Sequence, residues 1–165
     1  MGYGNDDRGS QARIRNVVIF LITIKFLNMY PDNLTKPMEA ELTNNGFTAL
    51  KSPEDVAAIL DQKEGTTFLV INSVCGCAAA NARPAAIMSL KNEKIPDHIV
   101  TVFAGVDGNA VMKAREYTFP YPPSSPSMGV FKDGKLVHFI ERHQIEGRPA
   151  QLIAQNLQAA FNEYC

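Results

Sequence analysis

Two kinds of apolar pattern alternate along this chain. Thr67 to Ser73 and Ile99 to Ala104 are near-continuous apolar runs, the pattern of strands covered on both faces. Phe47-Thr48-Ala49-Leu50 reads as a shorter strand. Met128 to Lys132 and Leu136 to Glu141 also read as strands, with a strong hairpin turn signal, Asp133-Gly134, between them. The intervening segments carry helix signals. Ser52-Pro53-Glu54-Asp55 combines an N-cap serine, a proline at the first position and acids in the first turn. That helix would bury Val56, Ile59 and Leu60 and stop before Gly65. Pro37 suits the first turn of an earlier helix reaching about Asn44. A helix after Cys77 contains Arg83-Pro84, which should kink it. Asp107 or Asn109 caps another, running to about Tyr117. Gly147 to Glu163 closes the chain as a helix, with Leu152, Ile153, Leu157 and Phe161 on one stripe.

The order is a helix, then βαβαβα, then a hairpin, then a last helix. Alternating units give a parallel core, and the hairpin adds antiparallel edge strands. The predicted class is α/β: a three-layer αβα sandwich around a mixed sheet of four to five strands. Thr118 to Ser127 carries Pro120, Pro122, Pro123 and Pro126 and is expected to be a structured loop.

Composition narrows the class further. The 165 residues suit one domain with a core large enough to stand without disulfide staples. Net charge is -1, so no basic excess points to nucleic acid and no basic amphipathic face to a membrane surface. Residues 1–12 are polar and Gly-rich and are expected to be disordered. Val17 to Ile24 is apolar after Arg13 and Arg15, but Lys25 ends the run well short of the roughly 20 residues a spanning helix needs. No small-x-small cleavage site follows, which argues against a signal peptide. Residues 1–30 are read as an extension, disordered or translated from upstream of a start at Met29, and 31–165 as the domain. A cytoplasmic location is expected.

The chemistry centres on Cys75-Gly76-Cys77, placed where a buried strand gives way to a small-residue helix former, Ala78-Ala79-Ala80. A helix N-terminus stabilises a thiolate, the reactive form of cysteine. Cys75, at the strand end, is assigned as the nucleophile. Cys77 is the candidate resolving thiol, able to attack a mixed disulfide on Cys75 and release its first product. A ring with one intervening residue should be strained, and Gly76 would supply the backbone freedom it needs.

Other readings stand beside this one. Two buried, inert cysteines would simply pack. Zinc wants four ligands, and His138, His143 and Cys165 could in principle complete a site. A metal-free binding module carrying an incidental thiol pair is a third, and a metal-binding or redox-sensing thiol module is the rival outside the enzyme class. Cys165 reads as a thiol on a frayed end, with a second resolving role or an intermolecular disulfide as sharper alternatives. His98 looks like loop surface, and Arg142 and Glu146 like a solvated pair. Pro126, after Ser124-Ser125, could take a cis peptide bond and present a hydrogen-bonding edge beside the thiols.

This arrangement resembles the thioredoxin fold, in which a cysteine motif opens a helix after a buried strand and a cis proline precedes a hairpin. Ser125-Pro126-Ser127-Met128-Gly129-Val130 through Lys135 is similar to that segment. The match narrows to the bacilliredoxin family through Val70 to Ala79, Ala82-Arg83-Pro84-Ala85, Val100 to Gly105, Glu116-Tyr117, Pro123 to Ser127, His138 to Gly147 and the terminal Tyr164-Cys165. The resemblance covers roughly Pro31 to Cys165.

It implies a thiol-disulfide oxidoreductase that removes bacillithiol from client proteins carrying it as a mixed disulfide. Carried over, Cys75 attacks the small thiol's sulfur and frees the client cysteine. Free bacillithiol or Cys77 then regenerates the enzyme. Gly76, Ser125 and Pro126 would form the substrate-binding edge. No tightly bound cofactor or metal is expected, bacillithiol serving as thiol co-substrate. A general disulfide reductase or isomerase is the alternative within the enzyme class.

Overall fold

All seven residues of the strand Thr66–Asn72 are buried, and its two faces organise the rest of the molecule. In the computed structural model, which describes residues 29–165, this strand is β2 of a five-stranded sheet ordered β1-β3-β2-β4-β5. The other strands are β1 (Thr48–Ala49), β3 (His98–Phe103), β4 (Ser127–Lys132) and β5 (Lys135–Ile140). β1, β3 and β2 run parallel, β4 is antiparallel to β2, and β5 is antiparallel to β4. The readings made for residues 1–28 lie outside the described residues.

Side chains alternate across β2 with the two-residue period of a strand. Phe68 and Val70 join a core with α3 (Arg83–Ser89) and α6 (Ala150–Tyr164), to which α1 (Asp32–Thr43) adds Leu42. Leu69 and Ile71 join the opposite core with α2 (Pro53–Leu60) and α4 (Gly108–Tyr117). Phe68 meets Phe47 and Phe161 edge-on, at centroid distances of 5.8 and 5.2 Å. The three layers match the predicted sandwich.

Local chemistry explains most boundaries. At α2 the Asp55 N–H donates to Ser52 Oγ (3.1 Å) and the Ser52 N–H to Asp55 Oδ2 (3.0 Å), a complete capping box. The hairpin turns on Asp133 and Gly134, both at positive φ, where a Gly134 Cβ would lie 2.9 Å from the Gln62 carbonyl oxygen. Pro84 has no N–H to offer Ala80, and the ladder loosens there into a π-helical turn over Ala78–Ala82 before α3.

Four details differ from the sequence expectation. Pro37 sits inside α1, which starts at Asp32 because the Pro31 carbonyl accepts from the Leu34 and Thr35 N–H groups (3.0 and 3.2 Å). The last helix begins at Ala150 after Pro149, preceded by a single turn, α5 (Arg142–Ile145). Its stripe runs through Ile153, Ala154, Leu157 and Phe161, whereas Leu152 is 54% exposed. Asp107 precedes α4, but its carboxylate turns back to the Phe103 N–H (3.2 Å) and Lys51 instead of capping.

Candidate active site

Three segments meet at the carboxyl end of β2, and strand register brings them there. Ile71 pairs with Ser127 of β4, and Asn72 with Phe103 of β3. Immediately beyond those pairs lie Ser73-Val74-Cys75, Ser125 with Pro126, and Ala104-Gly105. Of these, Ser73, Val74, Cys75, Ala104, Gly105 and Ser125 line an open cleft of about 250 Å³ with Met29, Tyr30 and Arg142.

Cys75 and Cys77 are joined by a disulfide, with Cα atoms 5.4 Å apart, inside the span a disulfide can bridge. Cys75 is half-buried against the core of the α3 and α6 face. Its Sγ accepts from the Ala78 N–H (3.3 Å) and the Ser73 hydroxyl (3.1 Å). Both donors favour negative charge on this sulfur once the disulfide opens. Gly76 is exposed and has no positive φ, and a Cβ there would meet nothing within 4 Å. The one-residue ring therefore closes without glycine's special conformations, contrary to the sequence expectation. What Gly76 does provide is open space beside the sulfurs.

The Ser125–Pro126 peptide is cis, and Pro126 is buried. Phe119–Pro120 is also cis, which the sequence reading did not anticipate. The Ser125 carbonyl already accepts a hydrogen bond from Arg142 Nη1 (3.2 Å), so this part of the expected edge is filled from within.

Two arginines whose site contacts sequence reasoning missed frame the thiol loop. Arg83, 1% exposed, lies beneath it. Its Nη1 donates to the Ser73 carbonyl (3.2 Å) and Asn72 Oδ1 (3.3 Å), and its Nε to Glu41 Oε2 (2.6 Å). A lone arginine among Ala78, Ala82, Ala85 and Ala86 was the available signal, since a charge amid small buried residues needs a specific partner. Arg142 forms the expected pair with Glu146 (Nε to Oε2, 3.3 Å), but it also faces the cleft. Tyr30 covers Gly105 (φ +87), where a Cβ would come within 2.7 Å of its ring. The Met29 N–H donates to the Gly105 carbonyl (3.2 Å), so the described fold reaches back past Pro31.

The other candidate residues lie elsewhere. Cys165 is not frayed: its N–H bonds to the Phe161 carbonyl (2.9 Å) and its thiol packs half-buried beside the Thr66 hydroxyl. That is the opposite end of β2. Burial pushes the Cys165 thiol above the ordinary cysteine range. His138 Nε2 is 2.7 Å from Asn156 Oδ1, and the two share a separate cleft of about 220 Å³ between β5 and α6. His143 is exposed, and His98 begins β3 instead of lying in a loop. Among the described residues, no three His, Cys, Asp or Glu side chains converge to hold a metal.

Comparison with known proteins adds to this geometry. The sequence model of the disulphide isomerase family matches residues 30–165. A bacilliredoxin of Cytophaga hutchinsonii is 61% identical over 135 residues, covering 82% of this chain and 99% of its own. Bacilliredoxins of Halalkalibacterium halodurans and Geobacillus kaustophilus are 53% and 51% identical over 136 and 137 residues, covering 82% of this chain and 94% of each relative. A solved structure with a thioredoxin fold superimposes at a TM-score of 0.50, covering 68% of this chain and 94% of that one at 14% identity. The fold is thioredoxin-like.

Proposed function

The chain belongs to the bacilliredoxin family and is a thiol-disulfide oxidoreductase; from that premise we propose that it strips bacillithiol from client proteins carrying it as a mixed disulfide. The observation that carries the reading is the Cys75–Cys77 disulfide on a cleft shared with Ser73, Ser125 and Arg142.

In this mechanism the Cys75 thiolate attacks the bacillithiol sulfur of the mixed disulfide. The bond between the client sulfur and the bacillithiol sulfur breaks, the client cysteine leaves as a thiolate, and bacillithiol remains on Cys75. No net oxidation occurs in this step. Cys77 then attacks Cys75 Sγ, bacillithiol leaves as its thiolate, and the Cys75–Cys77 disulfide forms. Two thiol equivalents from a low-molecular-weight reductant return the enzyme to its dithiol state. Alternatively, free bacillithiol attacks the mixed disulfide on Cys75 and leaves as its own disulfide. The Ala78 N–H and Ser73 hydroxyl steady the Cys75 sulfur through each exchange. Gly76 leaves room for the incoming sulfur, and Ser125 and Pro126 form the facing wall. No resident metal or cofactor takes part.

We place this chemistry in a reducing, cytoplasmic setting, where such thiols stay available. Among the described residues, no helix is long and apolar enough to cross a membrane.

The test is a bacillithiolated client incubated with wild type, Cys75→Ala and Cys77→Ala. Cys75→Ala is expected to release no client thiol, and release at the wild-type rate would overturn the assignment. Cys77→Ala should accumulate bacillithiol on Cys75. The disulphide isomerase family model favours a second reading, a general disulfide reductase or isomerase. Similar rates with chemically unrelated mixed disulfides would support that reading over the first.

A further inference from the structure

Arg142 is the charged side chain among the described residues lining the cleft beside Cys75; Tyr30, Ser73 and Ser125 are neutral and the rest apolar or backbone. Its guanidinium is fixed at two points. Nη1 donates to the Ser125 carbonyl (3.2 Å), and Nε faces Glu146 Oε2 (3.3 Å). An arginine carries five donor hydrogens in a planar fork, so two contacts leave donor capacity unused. The side chain is 44% exposed, and its carboxylate partner Glu146 is 59% exposed. Glu146 is thus a solvent-accessible carboxylate already occupying one edge of a guanidinium on the substrate cleft. A carboxylate arriving with a substrate would meet the same fork geometry.

We infer that Arg142 is a specificity-determining residue that selects low-molecular-weight thiols bearing a carboxylate, binding that carboxylate while the thiol's sulfur is held on Cys75. The inference rests on the proposed exchange at Cys75 and adds the chemical class of thiol the cleft prefers. Ser125 is the link between the two parts. Its carbonyl orients Arg142, and its own side of the cis peptide bond to buried Pro126 faces the cleft. Glu146 competes for the same guanidinium.

The step itself is an ordinary exchange. Reduced Cys75 attacks the small-thiol sulfur, the client thiolate leaves, and the small thiol stays on Cys75 with its carboxylate on Arg142. The electrons balance within the exchange, so a single turnover needs no added reductant.

The experiment uses the full chain, pre-reduced, and one client protein charged separately with 3-mercaptopropionate and with 2-mercaptoethanol. These thiols are similar in size and differ chiefly in the carboxylate. Client-thiol release is measured in single turnover for wild type, Arg142→Gln, Arg142→Lys and Glu146→Gln. The ratio of rates on the two substrates, compared between variants, cancels the intrinsic chemistry of each thiol. Arg142→Gln is expected to lower that ratio by about three- to tenfold, the size of a partly exposed charge-assisted contact. Arg142→Lys should retain part of the preference, and Glu146→Gln should raise it. Added salt should shrink the wild-type preference and leave that of Arg142→Gln unmoved. An unchanged ratio in both Arg142 variants would overturn the inference, as would equal losses on both substrates. Release from a bacillithiolated client but from neither of these two substrates would also overturn the inference, whereas failure on all three would instead sink the proposed exchange.

Discussion

Arg83 Nη1 donates to the Ser73 carbonyl at 3.2 Å, two residues before the first cysteine of the pair. The same nitrogen reaches Asn72 Oδ1 (3.3 Å), which in turn accepts the Ser73 N–H (2.8 Å). The chain leaving β2 is therefore held from below by a buried cation whose other edge is paired with Glu41. The thiol loop owes its position to a residue eight places further along, on the far side of a π-helical turn.

Arg83→Met should be costly. It leaves the Ser73 carbonyl without its arginine donor and removes an ion pair buried on the arginine side only, since half-exposed Glu41 can recover water. We expect a loss of about 2–3 kcal/mol, read as a lower urea midpoint at unchanged slope. Thiol exchange should slow as well, because the loop loses its anchor. An unchanged midpoint would show that Arg83 does not hold the loop.

Ser73→Ala removes the hydroxyl 3.1 Å from Cys75 Sγ and leaves the Ala78 N–H in place. Losing a donor to an anion disfavours the anion. The alkylation rate of reduced Cys75 at neutral pH should fall roughly threefold to tenfold, and its pH profile should move to higher pH. Stability should change little. A profile superimposable on wild type would remove Ser73 from thiolate stabilisation.

Asp97 predicts an acid-side effect. The Thr66 N–H and hydroxyl both donate to its carboxylate at 2.8 Å, and these bonds hold its carboxyl below the usual range, the backbone one most strongly. A depressed folded value means the stabilisation is present above the unfolded carboxylate value of about 3.9 and is lost as pH falls through the folded one. Asp97→Asn should therefore be less stable than wild type at pH 6, with the gap closing below about pH 4. A gap that stays constant down to pH 2.5 would mean the carboxylate charge contributes nothing.

Much of this site was legible in the sequence because strand ends can be read from apolar runs. The buried run ending near Asn72, the small-residue helix after Cys77 and the proline before the hairpin all emerge where the pattern puts them. Arg142 was within reach too. Counting back from Asp133-Gly134 sets Met128 opposite Phe139, and a one-residue register shift at Val130/Phe131 moves the pair to Ile140, which still returns Arg142 to the Ser125–Pro126 peptide. Reading Arg142 and Glu146 as a solvated pair obscured that. Arg83 was harder, because its partners Glu41 and Ser73 come from segments whose approach depends on tertiary packing. The exposure of Leu152 was missed for a related reason: α6 starts three residues later than Gly147, and only packing decides which flank of its stripe turns inward.

Cys165 should take no part in intramolecular exchange. Its thiol lies beside Thr66, at the start of β2, while Cys75 follows Asn72, at the end of the same strand. Seven residues of strand at about 3.3 Å each separate the two ends by roughly 20 Å, far beyond the few ångströms that sulfur–sulfur attack requires. Bringing Cys165 to Cys75 would also mean pulling Phe161 and Leu157 out of the core that anchors α6. Cys165→Ser should therefore exchange thiols within about twofold of wild type, since the substituted group lies outside the cleft. In the oxidised protein Cys165 is also the free thiol, the other two of the chain's three cysteines being bridged. Burial raises its titration, so iodoacetamide should label it slowly at pH 7.5 and increasingly fast above pH 9. Peptide mapping of the labelled, oxidised protein should place the modification on Cys165. A Cys75–Cys165 disulfide in the monomer during turnover, or a tenfold loss of exchange in Cys165→Ser, would contradict the separation that β2 imposes.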